Sequence, residues 1–313
     1  MLGLILQRLG TIIPTALLAS ILVFSIVQLA PGGPAYAIAG PDATPEFVAH
    51  INKELGLDRP LPVQYFSWLG NLAQGNLGKS LVNRNEVATL VAARMPVSGV
   101  IALEALLLSL LIGVPLGVIS AIRSGTLVDG TIRGFTSIGI AVPEFWLAML
   151  AVNLFALQLF WLPPTGYLPP SAGLIPHFKT VVLPVATLAL GPIAIIVRFT
   201  RSAMKEALSA AYVRTAWSLG LPPLQVYLRF ALKNALSSII TVIGIVASVL
   251  IGGAVLIESV FAIPGVGELL VQSVLSKDFP VVQGVTVLLM FAVIIINLVV
   301  DILVAAIDPR TRQ

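Results

Sequence analysis

The fold class this sequence predicts is all-α and polytopic, a chain that crosses a membrane several times, and three observations carry it. Of 313 residues, 58% are hydrophobic and 10% charged, against about 25% charged in an ordinary soluble domain. Six runs approach the roughly 20 apolar residues needed to cross a hydrocarbon core, at about residues 9–30, 97–122, 135–160, 181–199, 237–257 and 281–302. The short alternating segments that build a transmembrane barrel do not occur between them.

The first run follows Arg8, and Ala35-Tyr36-Ala37 resembles a signal cleavage site. The run exceeds the 7–15 apolar residues usual for a signal, so a retained helix at 1–30 is expected. Residues 31–96 then form a polar loop, and 97–313 carry the other five spans. Pro14, Pro115, Pro143, Pro184 and Pro192 interrupt runs, which a membrane bundle tolerates because neighbouring helices satisfy the freed backbone groups. Alternate sides hold 11 and 7 of the 18 basic residues, and the stretch from Arg198 to Lys233 supplies six of the 11. Basic loops stay inside, so both termini and that stretch are expected to be cytoplasmic and 31–96 outside.

The outer loop contains Gly75-Asn76-Leu77-Gly78-Lys79-Ser80, whose ending imitates a phosphate-binding loop. That motif needs a glycine five residues before Gly78, and Ala73 stands there. With the loop outside as well, the chain is expected to bind no nucleotide itself. The chain has no cysteine, its histidines His50 and His177 are far apart, and its net charge is only +4. Thiolate chemistry is excluded, no metal cluster is visible, and nucleic-acid binding is not expected.

The stretch Arg198 to Leu236 is the most unusual part of the chain for its size. Glu206 to Leu219 is rich in helix formers, Gly220 suits a left-handed helix end, and Leu221-Pro222-Pro223 prevents continuation. A second helix from about Leu224 to Leu236 would lead into the fifth span. Leu208, Ala211, Tyr212, Thr215 and Leu219 make one stripe, with Glu206, Ala210, Val213 and Trp217 opposite. A short helix apolar on two sides fits contact with its own bundle on one and a partner protein on the other; an interfacial helix resting on lipid headgroups fits the same pattern.

Arg214-Thr215-Ala216, then Gly220, then Phe230-Ala231-Leu232 resembles the cytoplasmic EAA loop of ABC importer permeases, in the form of the peptide and nickel class. The likeness runs through the chain. It includes Ala30-Pro31-Gly32-Gly33-Pro34, Leu55-Gly56-Leu57-Asp58-Arg59-Pro60 with Gln64-Tyr65, the GNLGKS element, and Arg94-Met95-Pro96. It continues with Pro143-Glu144-Phe145-Trp146, Glu258-Ser259-Val260-Phe261, Pro264-Gly265-Val266-Gly267, Lys277-Asp278-Phe279-Pro280 with Gln283-Gly284, and Asp308-Pro309-Arg310. Gly33 and Asn76 replace a usual Asp, and Ala211, Trp217, Leu219 and Phe230 replace residues often polar in the family.

The resemblance implies the type I ABC importer permease fold with six spans, and one permease subunit of a dipeptide or oligopeptide importer in a prokaryotic inner membrane. It is closest to the dipeptide permease B-type subunit. A nickel or other small-solute importer is the alternative, and a stand-alone ion-coupled transporter a remoter one, since no inverted repeat is visible. The implied partners are a second related permease, two cytoplasmic ATPases, an extracytoplasmic solute-binding protein and membrane lipid, with ATP and magnesium held by the ATPases. Coupling would fall to the loop at about 200–236 through Glu206, Ala211, Tyr212, Arg214, Thr215, Ala216 and Gly220.

Within the spans, Glu104 and Glu144 stand out, because a carboxylate at the centre of a membrane helix costs roughly 2.5–3.5 kcal/mol on insertion scales. Glu144 is expected near mid-depth, lining a pathway or bracing a break at Pro143, with Ser137 sharing its face seven residues earlier. Asn297 and Asp301, four apart on one face, read as glue between helices, and Glu258 with the Pro264-Gly265 turn as an outer turn that could meet a binding protein.

Overall fold

A computed structural model describes residues 2–28, 35, 36, 39, 43–54 and 56–307. The Ala30 to Pro34 turn, Ala37 of the cleavage-like triplet, Leu55 and Asp308-Pro309-Arg310 lie outside the described residues. The helices are α1 (Leu2–Gln28), α2 (Pro45–Glu54), α3 (Leu61–Ala73), α4 (Val87–Ile122) and α5 (Leu127–Ala141). They continue with α6 (Glu144–Gln158), α7 (Leu174–Ser209), α8 (Ala211–Ser218), α9 (Pro223–Val260), α10 (Val266–Leu275) and α11 (Phe279–Ile307). Among the described residues, β pairing is limited to one isolated antiparallel bridge between Lys79 and Glu86.

Four helices, α4, α7, α9 and α11, are long and apolar enough to cross a membrane. They contain the expected runs at 97–122, 181–199, 237–257 and 281–302. The run at 135–160 falls across α5 and α6, which count as a fifth span if taken together and are bent by 97°. Proline explains the break: Pro143 disfavours the helical region for the residue before it, and Val142 is extended at ψ 128°. Helix α1 includes the shorter apolar stretch Ile12–Ser25.

The chain divides into two compact units, one of Met1–Leu4, Ser98–Ile263 and Ile295–Gln313, the other of Ile5–Val97 and Pro264–Ile294. In the first, α7 is the central helix, with Leu188, Ala189, Ile196 and Met204 fully or almost fully buried. Helix α4 reaches it through two glycines: a Cβ at Gly113 would lie 2.8 Å from Ile196, and one at Gly117 2.6 Å from Thr200. Small residues permit this close approach of membrane helices.

The start of α5 is tied to α7 by a buried ion pair. Asp129, 1% exposed, accepts from Arg201 Nε at 2.7 Å and Nη2 at 2.8 Å, from Ser120 Oγ at 2.6 Å and from the Gly125 amide at 3.0 Å. A carboxylate with this many donors is compensated for its burial; removing one partner of such a pair costs about 3–5 kcal/mol. Asp129 and Arg201 are 72 positions apart, so no local spacing in the sequence marks the pair.

In the second unit, Val87, Val91, Val266, Leu269, Val281 and Val285 form the core. Arg94 pairs with Glu268 at 2.8 Å beside it. Phe24, Tyr65 and Trp68 make an aromatic group joining α1 to α3, where Tyr65 Oη and Ser20 Oγ are hydrogen-bonded at 2.8 Å.

Candidate functional site

The segment expected to be one helix from Glu206 to Leu219 is two. Helix α7 continues to Ser209, so Glu206 and Leu208 belong to the long helix. Ala210 is extended at ψ 151°, and a separate eight-residue helix, α8, follows. Arg214 Nη2 bridges the break by donating to the Ser209 carbonyl at 3.2 Å, one of the carbonyls left open at the end of α7.

The end of α8 follows the expectation for Gly220. The glycine is left-handed at φ +73°, its amide donates to Trp217 O at 3.0 Å, and the Leu221 amide donates to Ala216 O at 3.3 Å. These are the two bonds of a Schellman ending, after which Pro222 and Pro223 turn the chain into α9. Helix α9 begins with a π-helical stretch, Val226–Leu232, and runs on without interruption to Val260.

The inner face of α8 is set by two residues, one from neither of the faces read from the sequence. Val213 and Ala216 are the buried residues, packed with Val226 and flanked by Leu208, Leu221 and Phe230. Ala211, Tyr212, Arg214, Thr215, Trp217 and Leu219 are exposed, Leu219 by 74%. Of the two faces read from the sequence, the one with Val213 supplies an inward residue, and Tyr212, Thr215 and Leu219 of the other stripe face outward. With apolar residues all round, periodicity could not decide between the faces. Trp217 also meets Tyr227 of α9 edge to face, with ring centres 5.8 Å apart.

Glu144 opens α6 directly after the bend. Its carboxylate lies over two glycines: a Cβ at Gly191 of α7 would sit 2.9 Å from Oε1, and one at Gly253 of α9 2.8 Å from Oε2. Any other residue at either position would displace the side chain. Ser137 does not share this face, because the 97° bend separates α5 from α6; its hydroxyl donates to Arg133 O at 2.9 Å.

Glu104 is engaged elsewhere. Its Oε1 is 2.8 Å from Nε2 of His177, a residue 6% exposed whose Nδ1 is 2.6 Å from Leu168 O. A carbonyl only accepts, so Nδ1 donates, and Nε2 and Oε1 must then hold one proton between them. Glu104 Oε2 is buried without a hydrogen bond among the described residues. The pair pins the loop before α7 to α4 and was invisible in sequence because its members are 73 positions apart. The available signal was a titratable residue at the edge of each of two apolar runs.

Glu258 is fully buried near the end of α9, so its side chain cannot meet a binding protein. Asn297 accepts from Ser248 Oγ of α9 at 3.3 Å, as glue between helices requires.

The GNLGKS element is a turn that folds onto its own unit. Gly78 is left-handed at φ +84°, and its amide donates to Asn76 Oδ1 at 2.9 Å. Ser80 is 1% exposed. Its hydroxyl donates to Asp278 Oδ2 and accepts the amides of Val82 and Asn83 at 3.2 and 3.1 Å. The Leu81 amide adds a bond to Asp278 Oδ1 at 3.0 Å. Lys79 points outward, exposed. Two motifs read separately from the sequence, Gly-Lys-Ser and Lys-Asp-Phe-Pro, are therefore two halves of one contact.

Comparison with known proteins bears on the family and the fold. Residues 113–313 match the family model "Binding-protein-dependent transport system inner membrane component", and residues 1–102 match the corresponding N-terminal model. A protein of Brucella abortus (strain 2308), named for a peptide transport system permease, is 43% identical over 312 residues, covering 100% of this chain and 99% of that one. The glutathione transport system permease protein of Salmonella choleraesuis (strain SC-B67) is 37% identical over 312 residues, covering 100% and 99%. An inward-facing structure of the MetNI methionine ABC transporter superposes with a TM-score of 0.59 at 19% identity, covering 70% of this chain and 96% of that one. That last likeness is one of fold.

Proposed function

The chain belongs to the family of binding-protein-dependent transport system inner membrane components, and from that premise we propose that it is a permease subunit importing short peptides. It is driven by ATP bound on separate subunits and supplied by an extracytoplasmic binding protein. It works beside a second, related permease, with six spans and both termini in the cytoplasm. The peptide class rests on the relatives named for peptide and glutathione transport.

The observation that carries the coupling role is α8. Eight residues long, it anchors itself by Val213 and Ala216 and leaves the rest of its surface exposed. A helix held rigidly at both ends, by the Arg214 bond to Ser209 and by the Gly220 ending, is a handle that an ATPase subunit can move. Of the coupling residues named from sequence, Ala211, Tyr212, Arg214 and Thr215 are exposed and belong to that contact. Glu206 stands exposed in the last turn of α7, next to that surface in sequence.

Glu144 belongs to the translocation pathway. Broken helices at membrane depth are tolerated where they are buried in protein or line a water-filled cavity, and its half-buried carboxylate marks the break. Glu104, already bonded to His177, is a brace.

The test is uptake of a labelled dipeptide into proteoliposomes containing the chain, its partner permease and the ATPases. Uptake should require ATP on the side of α8 and binding protein on the side of Lys79. The chain has no cysteine, so Lys79→Cys and Ser218→Cys report sidedness cleanly. Labelling of both from one side, or uptake without ATP, would sink the proposal.

A further inference from the structure

The second unit contains a cavity of about 260 Å³ between the end of α1, the turn after α2, α3 and the start of α11. This is near the lower end of the volume range of small-molecule sites, the size of an amino acid or dipeptide. Its apolar wall is made by Phe24, Val27, Trp68, Leu81 and Phe279. Its one charged lining residue among the described residues is Arg59. Among the described side chains no acid lines it, so an anion is the complementary ligand.

The polar lining is built in two layers. Gln64 is fully engaged: its amide nitrogen donates to Leu57 O at 3.0 Å and Arg59 O at 2.8 Å, and its oxygen accepts from Gln28 Nε2 at 2.9 Å. It therefore fixes the turn that carries Arg59 and orients Gln28. Gly56 takes the left-handed backbone of this turn at φ +65°, which favours glycine. In contrast, the Arg59 guanidinium and the side-chain amides of Asn71 and Gln283 make no hydrogen bond among the described residues. They form a set of donors and acceptors with no internal use, facing one space beside aromatic rings.

We propose that this cavity binds the carboxylate end of an amino acid or short peptide, with Arg59 holding the carboxylate, Asn71 and Gln283 hydrogen-bonding the adjoining amide, and Phe24, Trp68 and Phe279 receiving an apolar side chain. It is a site separate from the Glu144 bend. A planar guanidinium pairs with a carboxylate through two parallel bonds, and aromatic walls give area without ordering flexible chains. The identity of the ligand as a peptide rests on the transport reading given above; the carboxylate chemistry does not.

The probe is Gly-Phe and its C-terminal amide, titrated against the assembled importer in nanodiscs without binding protein or ATP. Saturable binding of Gly-Phe is expected, about tenfold or more weaker for the amide, as loss of a charged hydrogen-bonding partner implies. Arg59→Gln should weaken the acid to the level of the amide, and Trp68→Phe should remove the fluorescence change that accompanies binding. Arg59 is exposed, so Arg59→Gln should fold normally; Asn71→Ala provides a second, milder loss. Equal binding of acid and amide, or an unchanged affinity in Arg59→Gln, would overturn the assignment. So would the absence of Gly-Phe binding together with weakened docking of the binding protein in Arg59→Gln, which would make the cavity a protein contact. Arg59-dependent binding in an importer that transports no peptide would retain this site and reject the transport reading.

Discussion

The GNLGKS turn and the segment around α8 are built from the same local device, a left-handed glycine ending a short element, yet they use their side chains in opposite ways. At the turn, Asn76 closes a local bond to the Gly78 amide, Ser80 directs its hydroxyl inward, and Asp278 collects both Ser80 and the Leu81 amide. At α8, Val213 and Ala216 alone are buried, while tyrosine, tryptophan, leucine and arginine side chains remain outside. A short segment whose hydrogen-bonding groups are consumed by its own unit has a structural job. One that holds itself by two small apolar residues and exposes large ones has surface to spare, which is what the proposed coupling role requires.

The largest effect expected is from Gly220→Val. A β-branched residue at φ +73° is strained, and the Schellman bonds would be lost with the angle. Transport and stimulated ATP hydrolysis should vanish while membrane insertion persists; full hydrolysis in response to loaded binding protein would remove α8 from the coupling role. Next, Asp278→Ala leaves Ser80 buried with its donor unused, which costs about 1–3 kcal/mol. That loss should appear in unfolding of the purified complex, with ATPase association unchanged. Thr215→Asp, on the exposed side of α8, should do the reverse: association with the ATPase weakened about tenfold, equivalent to about 1.4 kcal/mol, and unfolding unaltered. Smallest is Lys79→Ala, expected within about 0.5 kcal/mol of the parent because the side chain is exposed and unpaired by function. A change in nucleotide binding in Lys79→Ala would revive the phosphate-loop reading and undo the contrast.

Much of this architecture could be read directly from residues. The long apolar runs became helices, Pro143 marked the bend, and Gly220 before Leu221-Pro222-Pro223 marked the end of α8. What could not be read were features decided across the fold. Ser209-Ala210-Ala211 contains no helix breaker, yet Ala210 is where α7 stops, because packing of Val213 and Ala216 against Val226 directs α8 elsewhere. Likewise the partners of Glu104, Asp129 and Ser80 are 73, 72 and 198 positions away. Local spacing carries no trace of such pairs. Glu144 lay between: the bend was legible, but the two glycines that receive its carboxylate were not.

One consequence of the uninterrupted α9 concerns leverage. From Pro223 to Val260 it has 38 residues, which at 1.5 Å per residue is a rod about 57 Å long. The Schellman corner at Gly220 joins the near end of that rod to α8 by only a few residues. A tilt of about 5° imposed there would carry the far end sideways by about 5 Å over such a length, close to the width of one strand of peptide. A push of modest size on eight residues can thus reach across the thickness of a bilayer without any side chain relaying it.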